Sequence, residues 1–186
     1  MLDATHSLLA YLGALRGYAT IADAVGDDAL AGAARGLQRD GVIPTLTPPH
    51  GLDLEEYGES ILTRFANPNL GHTTLQVAMD GSQKLPVRVL GTVADRLAAG
   101  EVPRHAALLV AAWMVFVFRG HDVNGRPLPL DDPLAETLRR AAAGSESGLT
   151  DRLLDLRAIF PEEVSGHDGF RRAVSAGVAR LLAEIG

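Results

Sequence analysis

The stretch Ala106–Phe118 is thirteen consecutive apolar residues, and it narrows what this chain can fold into more than any other feature. Pro103 stands just ahead of it, where a first helical turn tolerates proline, and Gly120 follows it closely. A helix that is apolar almost all the way round has no face to offer water, so other elements must surround it. Thirteen residues fall short of the roughly 18 or more that a membrane span needs. The expectation is a central core helix and no membrane partner.

Around that core the apolar residues recur at steps of three and four, which predicts helices throughout. The spacing predicts a first helix over 4–15, with Asp3 as N-cap and Gly17 as stop. A second follows over 20–25 and a third over 28–40, ending at Gly41. The segment 43–51 carries Pro48-Pro49 and reads as a loop. Asp53 caps a helix to Phe65, which Asn67-Pro68-Asn69 breaks. A short helix over 73–79 ends at the turn Asp80-Gly81. Pro86 is expected at the first position of a helix to Ala99. Gly120–Pro133 reads as a polar loop, with further helices over 134–143, 150–156 and 169–185. The class is all-α: one irregular multi-helix domain over 1–186, with eight to ten helices.

The chain contains no cysteine, which excludes a disulfide framework, thiolate chemistry and a cysteine-ligated metal. That usage fits a reducing cytoplasm, the expected location. The net charge of -6 argues against a nonspecific grip on nucleic acid. His72, His105, His121 and His167 show no paired ligand spacing, so no metal site is expected. Ser7 and Ser82 lack the setting of a nucleophile elbow. No G-x-G-x-x-G follows a strand pattern, so no dinucleotide site is expected within these residues.

Two places carry candidate chemistry. Asp3 and His6 are three apart and share a helix face, where a carboxylate can hold an imidazole that titrates near neutrality. The plainer reading makes Asp3 a cap and His6 a core or surface histidine. The second place is Gly71–Pro86, where Lys84 brings three donors to a turn crowded with polar side chains. The plainer reading there is a solvated lysine. On spacing alone the plainer readings stand ahead.

Four blocks in order shift that balance. Leu2-Asp3-Ala4-Thr5-His6-Ser7-Leu8-Leu9-Ala10-Tyr11-Leu12-Gly13 resembles the L-N-x-x-H-S-x-x-A-Y-L-G run of the mannitol dehydrogenase and fructuronate (mannonate) reductase family. Arg64-Phe65-Ala66-Asn67-Pro68 is similar to its R-F-x-N-P block, and Ala78-Met79-Asp80-Gly81-Ser82-Gln83-Lys84 to its A-x-D-G-x-x-K block. Arg119-Gly120-His121-Asp122-Val123-Asn124-Gly125-Arg126, followed by Asp132-Pro133, matches a late loop. The resemblance implies the C-terminal, mostly helical substrate domain of a long-chain polyol dehydrogenase.

It also implies the chemistry. The family interconverts a sugar alcohol or aldonate and a ketose or keto-acid, with NAD held by an N-terminal Rossmann-type domain. His6 takes the place of a histidine beside the reacting oxygen, and Asp3 stands where the family has an asparagine. The family's lysine base falls five residues before Asp3, ahead of Met1. Lys84 matches a substrate-contacting lysine. Gln76 stands where mannitol-specific members carry an arginine. The resemblance thus implies a sugar alcohol or uronate-type substrate, a Rossmann partner domain or subunit, and a homodimer as one way to cover the partner face. The 186 residues alone are expected to bind no NAD and to turn over no substrate. The alternative is a helical interaction or sugar-binding module without catalysis.

Overall fold

The computed structural model describes residues 1–185, which form twelve α-helices joined by two π turns and two 3-10 turns. Helix α8 (Arg104–Arg119) is the axis, with every residue from Leu109 to Val117 buried. Helix α12 (Asp168–Ile185) runs along it, and α1 (Leu2–Leu15) and α9 (Ala135–Ala142) pack on its other sides. Gly177 sets how near α12 can come, since a Cβ there would lie 2.8 Å from the Ala111 Cβ. Trp113 and Phe160 fill the middle with ring centres 5.8 Å apart. Fully burying one Leu or Phe of this core contributes about 1.5–3 kcal/mol, so the apolar run holds the domain together.

Helix α1 is buried from Ala4 to Leu15 at every position except His6. Its neighbours are α2 (Ile21–Val25), α3 (Asp28–Gly36) and α5 (Thr74–Ala78). Thr20, Asp27 and Thr73 cap those three, and Asp53 caps α4 (Leu54–Phe65), each accepting backbone N–H bonds through its side chain. Then come α6 (Gly81–Leu85), α7 (Gly91–Ala98), α10 (Leu149–Leu154) and α11 (Glu162–Ser165). Strand pairing among the described residues is limited to two isolated bridges, Thr20–Thr73 and His121–Pro127. Among the described residues no helix is long and apolar enough to cross a membrane.

The expected class is observed with twelve helices rather than eight to ten, and three boundaries and one added helix differ. Asp3 is not a cap. The helix begins at Leu2 with Met1 as N-cap, because Thr5 already donates its N–H to the Met1 carbonyl. Asp3 therefore lies in the first turn, where its charge suits the helix dipole. The third predicted helix does not stop at Gly41, since a π turn (Leu37–Val42) and a 3-10 turn carry it to Thr45. Helix α11 was not expected; Pro161 opens it with the acidic pair Glu162-Glu163 in its first turn.

Pro86 does not begin a helix either. It lies inside an unbroken helical run from Gly81 to Ala98, at the start of a π turn (Pro86–Leu90). The wider π turn relieves the clash a proline ring makes with the carbonyl four residues earlier. Leu85, the residue before it, keeps helical angles of φ -57 and ψ -50.

Candidate active site

Three segments converge on His6. Phe65, at the end of α4, stacks under the imidazole with centres 4.5 Å apart and planes at 21°. His72 places its ring 5.4 Å away on another side. The backbone holds His72 there, because its carbonyl accepts from Ile21 N–H at 2.9 Å. The His6 Nε2 atom is buried and has no hydrogen-bond partner. Leaving such an atom unpaired costs about 1–3 kcal/mol, so nearly all buried polar atoms find partners and an exception calls for a reason. Burial, with the neighbouring His72, Arg88 and Lys84 adding to it against the pull of Asp3, pushes the His6 pKa down to about 4. The ring is therefore neutral at pH 7.

Lys84 reaches this region from the last turn of α6. Its Nζ donates to the Val77 carbonyl at 3.1 Å. Burial first, then Arg88, lowers its pKa from the ordinary lysine value, while Asp80 and Asp132 oppose the shift. Asp3 is exposed, with Oδ1 3.9 Å from Arg88 Nη2. That separation is a charge contact and too long for a hydrogen bond.

Gln76 lies on α5 as the third residue of a capping box. Its side-chain oxygen accepts from Thr73 N–H at 3.3 Å and from the Thr73 hydroxyl at 3.1 Å. The capping box uses only the oxygen, and the amide nitrogen remains for other contacts.

What fixes Lys84 is the start of its helix. Asp80 adopts left-handed angles, φ 57, and donates its N–H to the Asp131 carbonyl at 2.9 Å. Asp132 then caps α6 from fifty residues away, accepting Ser82 N–H at 2.8 Å and the Ser82 hydroxyl at 2.6 Å. The same carboxylate accepts Leu134 N–H at 2.8 Å. Gly81 presses directly on the core: a Cβ there would lie 2.5 Å from Trp113 Nε1 and 2.6 Å from the Tyr11 hydroxyl. Tyr11 in turn donates to the Ala78 carbonyl at 3.0 Å. The D-G-S-x-K run thus ties a lysine to α1 and α8.

The block at Arg119–Arg126 serves a different end. Asp122 accepts Asn124 N–H at 2.8 Å and Arg126 N–H at 2.9 Å, closing the loop on itself. Val123 N–H reaches the Leu15 carbonyl at 3.0 Å and satisfies the end of α1. This block is scaffold.

The structure brings together His6, Asp3 and Lys84 of the sequence-derived residues, and adds Phe65, His72 and Arg88. Phe65 was visible only as part of a block. Arg88 carried a usable signal, its spacing of four from Lys84 on a helix. His72 carried none beyond its residue type. Among the described residues no three His, Cys, Asp or Glu side chains are grouped to hold a metal.

Comparison with known proteins places this arrangement. Residues 1–182 match the model of the mannitol dehydrogenase C-terminal domain. The chain is 43% identical to D-mannonate oxidoreductase of Escherichia coli over 182 residues, 97% of the chain and 37% of that protein. It is 34% identical to a mannitol dehydrogenase of Saccharomyces cerevisiae over 171 residues, 91% of the chain and 34% of that protein. Among solved structures, Pseudomonas fluorescens mannitol 2-dehydrogenase in ternary complex with NAD and D-mannitol superposes with a TM-score of 0.93 at 29% identity. That match covers 99% of this chain and 37% of the other. The chain belongs to the mannitol dehydrogenase C-terminal domain family, and it spans a little over a third of the length of the relatives it matches.

Proposed function

We propose that these residues form the substrate side of an oxidoreductase that moves a hydride between a nicotinamide cofactor and a carbinol carbon of a sugar alcohol or aldonate, giving a ketose or keto-acid. The observation that carries this reading is the buried, unpartnered Nε2 of His6, set among Lys84, Arg88 and Asp3. The nicotinamide supplies the hydride acceptor. In this reading NAD would be held by an N-terminal portion, for which the longer relatives have room.

His6, neutral at working pH, donates a hydrogen bond from its ring to the reacting oxygen and orients it. Phe65 fixes the plane of that ring. Lys84 binds a substrate hydroxyl through its ammonium, and its charge stabilises the oxygen as negative charge grows. Gln76 adds an amide donor. Asp3 opposes the growing charge. The proton of the carbinol leaves to a base outside these residues.

The test joins the chain to its N-terminal portion and follows nicotinamide absorbance. His6→Ala should lower turnover by about a hundredfold or more, the scale of removing one oxyanion donor, with little change in melting. Asp3→Asn should raise turnover, because an amide donates where a carboxylate repels. A second reading is a sugar-binding module without catalysis, which the carboxylate at Asp3 favours. Unchanged rates in both variants would select it. The separate 186-residue chain should bind NADH no tighter than about 100 μM by fluorescence titration. Val87, beside Arg88, is exposed, and we propose that it is covered by the N-terminal portion or by a second copy, which sedimentation distinguishes.

A further inference from the structure

Charge around His6 is out of balance, and Arg88 is the residue that has the least to do there. It sits on the π turn four residues after Lys84, so the two cations share one face of the helical run. Its side chain is only 26% exposed. It lies near enough to His6 and to Lys84 to lower the proton affinity of both. Among the described residues its one ionic neighbour is Asp3, at 3.9 Å and beyond hydrogen-bond reach. Three other guanidinium groups of the fold are engaged far more closely, whereas Arg96 and Arg119 each keep a buried Nε without a partner. Arg35 makes two bonds to Glu59, at 2.8 and 3.2 Å. Arg152 donates to three carbonyls between 2.8 and 3.0 Å. Arg171 meets Asp151 at 2.6 Å. A half-buried guanidinium keeps donors for an acceptor that can displace water, and among the described residues Arg88 has no protein acceptor within hydrogen-bond reach.

We propose that Arg88 is a specificity residue that receives a carboxylate of the substrate, so that the site takes a sugar acid in preference to an uncharged sugar alcohol. This rests on the reading of His6 and Lys84 as substrate-side groups. The planar fork of arginine matches a carboxylate through two parallel N–H bonds, which a lone ammonium cannot provide. Asp3 marks the direction in which such an anion lies, since it holds a loose version of the contact already. Four residues of helix advance about 6 Å, a span that an acyclic six-carbon chain covers from a hydroxyl at Lys84 to an end group at Arg88. The two acidic neighbours of Lys84 do not compete for Arg88. Asp132 is committed to Ser82 and Leu134, and Asp80 starts α6 from the far side of Lys84.

The experiment is calorimetric titration of the 186-residue chain with mannonate, mannitol and mannitol 1-phosphate. The variants are Arg88→Gln and Asp3→Asn, with melts to confirm folding. Mannonate should bind the unmodified chain about tenfold or more tighter than mannitol, where each tenfold is about 1.4 kcal/mol. Arg88→Gln should bring mannonate down to the affinity of mannitol and leave mannitol unchanged. Asp3→Asn should tighten mannonate alone, because it removes the internal competitor. Equal binding of mannonate and mannitol, or an Arg88→Gln variant that keeps the preference, overturns the proposal and leaves the functional reading standing. Tighter binding of mannitol 1-phosphate than of mannonate also overturns it. Binding of none of the three overturns the functional reading and Arg88's role with it. Should Arg88→Gln fail to fold, Arg88→Lys takes its place: partial loss of the acid preference supports the proposal, and full retention overturns it.

Discussion

Asp132 and His6 are both polar groups set among apolar helices, and the fold treats them in opposite ways. Asp132 is surrounded by donors: Ser82 contributes two bonds and Leu134 a third. His6 rests on Phe65 and beside His72, and its buried Nε2 bonds to nothing. One cluster is saturated and holds α6 against the core. The other keeps its bonding capacity unspent. The difference separates scaffold from candidate site inside blocks that look equally polar in sequence.

The comparison makes predictions that differ in what they disturb. Asp132→Ala should be the most damaging change. It strips three bonds from a buried carboxylate and leaves their donors without acceptors, at a cost of about 3 kcal/mol or more, read by urea denaturation. A loss below about 1 kcal/mol would mean that α6 does not depend on this cap. Gly81→Ala comes next. Its methyl group must push Trp113 and Tyr11 aside, an overpacking that costs about 1–3 kcal/mol. A neutral result would show that α6 is not pinned to the core at this point.

Acid should act through the other cluster. The folded His6 pKa near 4 lies below the ordinary value of 6.5, so the unfolded chain binds the proton more readily. Its contribution is fully present above pH 6.5 and is lost as pH falls towards 4. Melts of the unmodified chain should decline across that window, and His6→Gln should flatten the decline. If the slope survives His6→Gln, other groups cause it. Lys84→Met is the mildest for the fold, within about 0.5 kcal/mol, yet it should abolish mannonate and mannitol binding. If that variant binds as before, the unsaturated cluster is not the site.

Much of the fold could be read from periodicity, because helices surrounding one apolar run leave few other arrangements. The cap Asp53 and the turn at Asp80-Gly81 were legible for the same local reason, while Thr73, expected inside its helix, caps it. Pro86 was not, because a π turn is a tertiary remedy that no local rule signals. Asp3 misled because its type fits a cap while the chain already supplied one residue of helix before it. At the candidate site, spacing indicated His6 and Lys84 only weakly, and the ordered blocks made them stand out. Arg88 was legible only through its spacing of four from Lys84, and His72 depends on how α1 meets the loop before α5, which distance in sequence hides.

The bond from Asp132 back to Ser82 also sets an order of events. As the chain is synthesised from its N-terminus, α6 emerges and must wait for fifty further residues before its Ser82 N–H has its protein acceptor. In that interval α8, the most apolar segment of the chain, is itself emerging with its partners α9 and α12 still to come. Contacts so far apart in sequence form slowly, and exposed apolar segments in the meantime are open to association. Lys84 is therefore held in place by a residue made well after it. A ribosome stalled before Asp132 would hold a chain whose His6 helix is complete and whose Lys84 is still adrift.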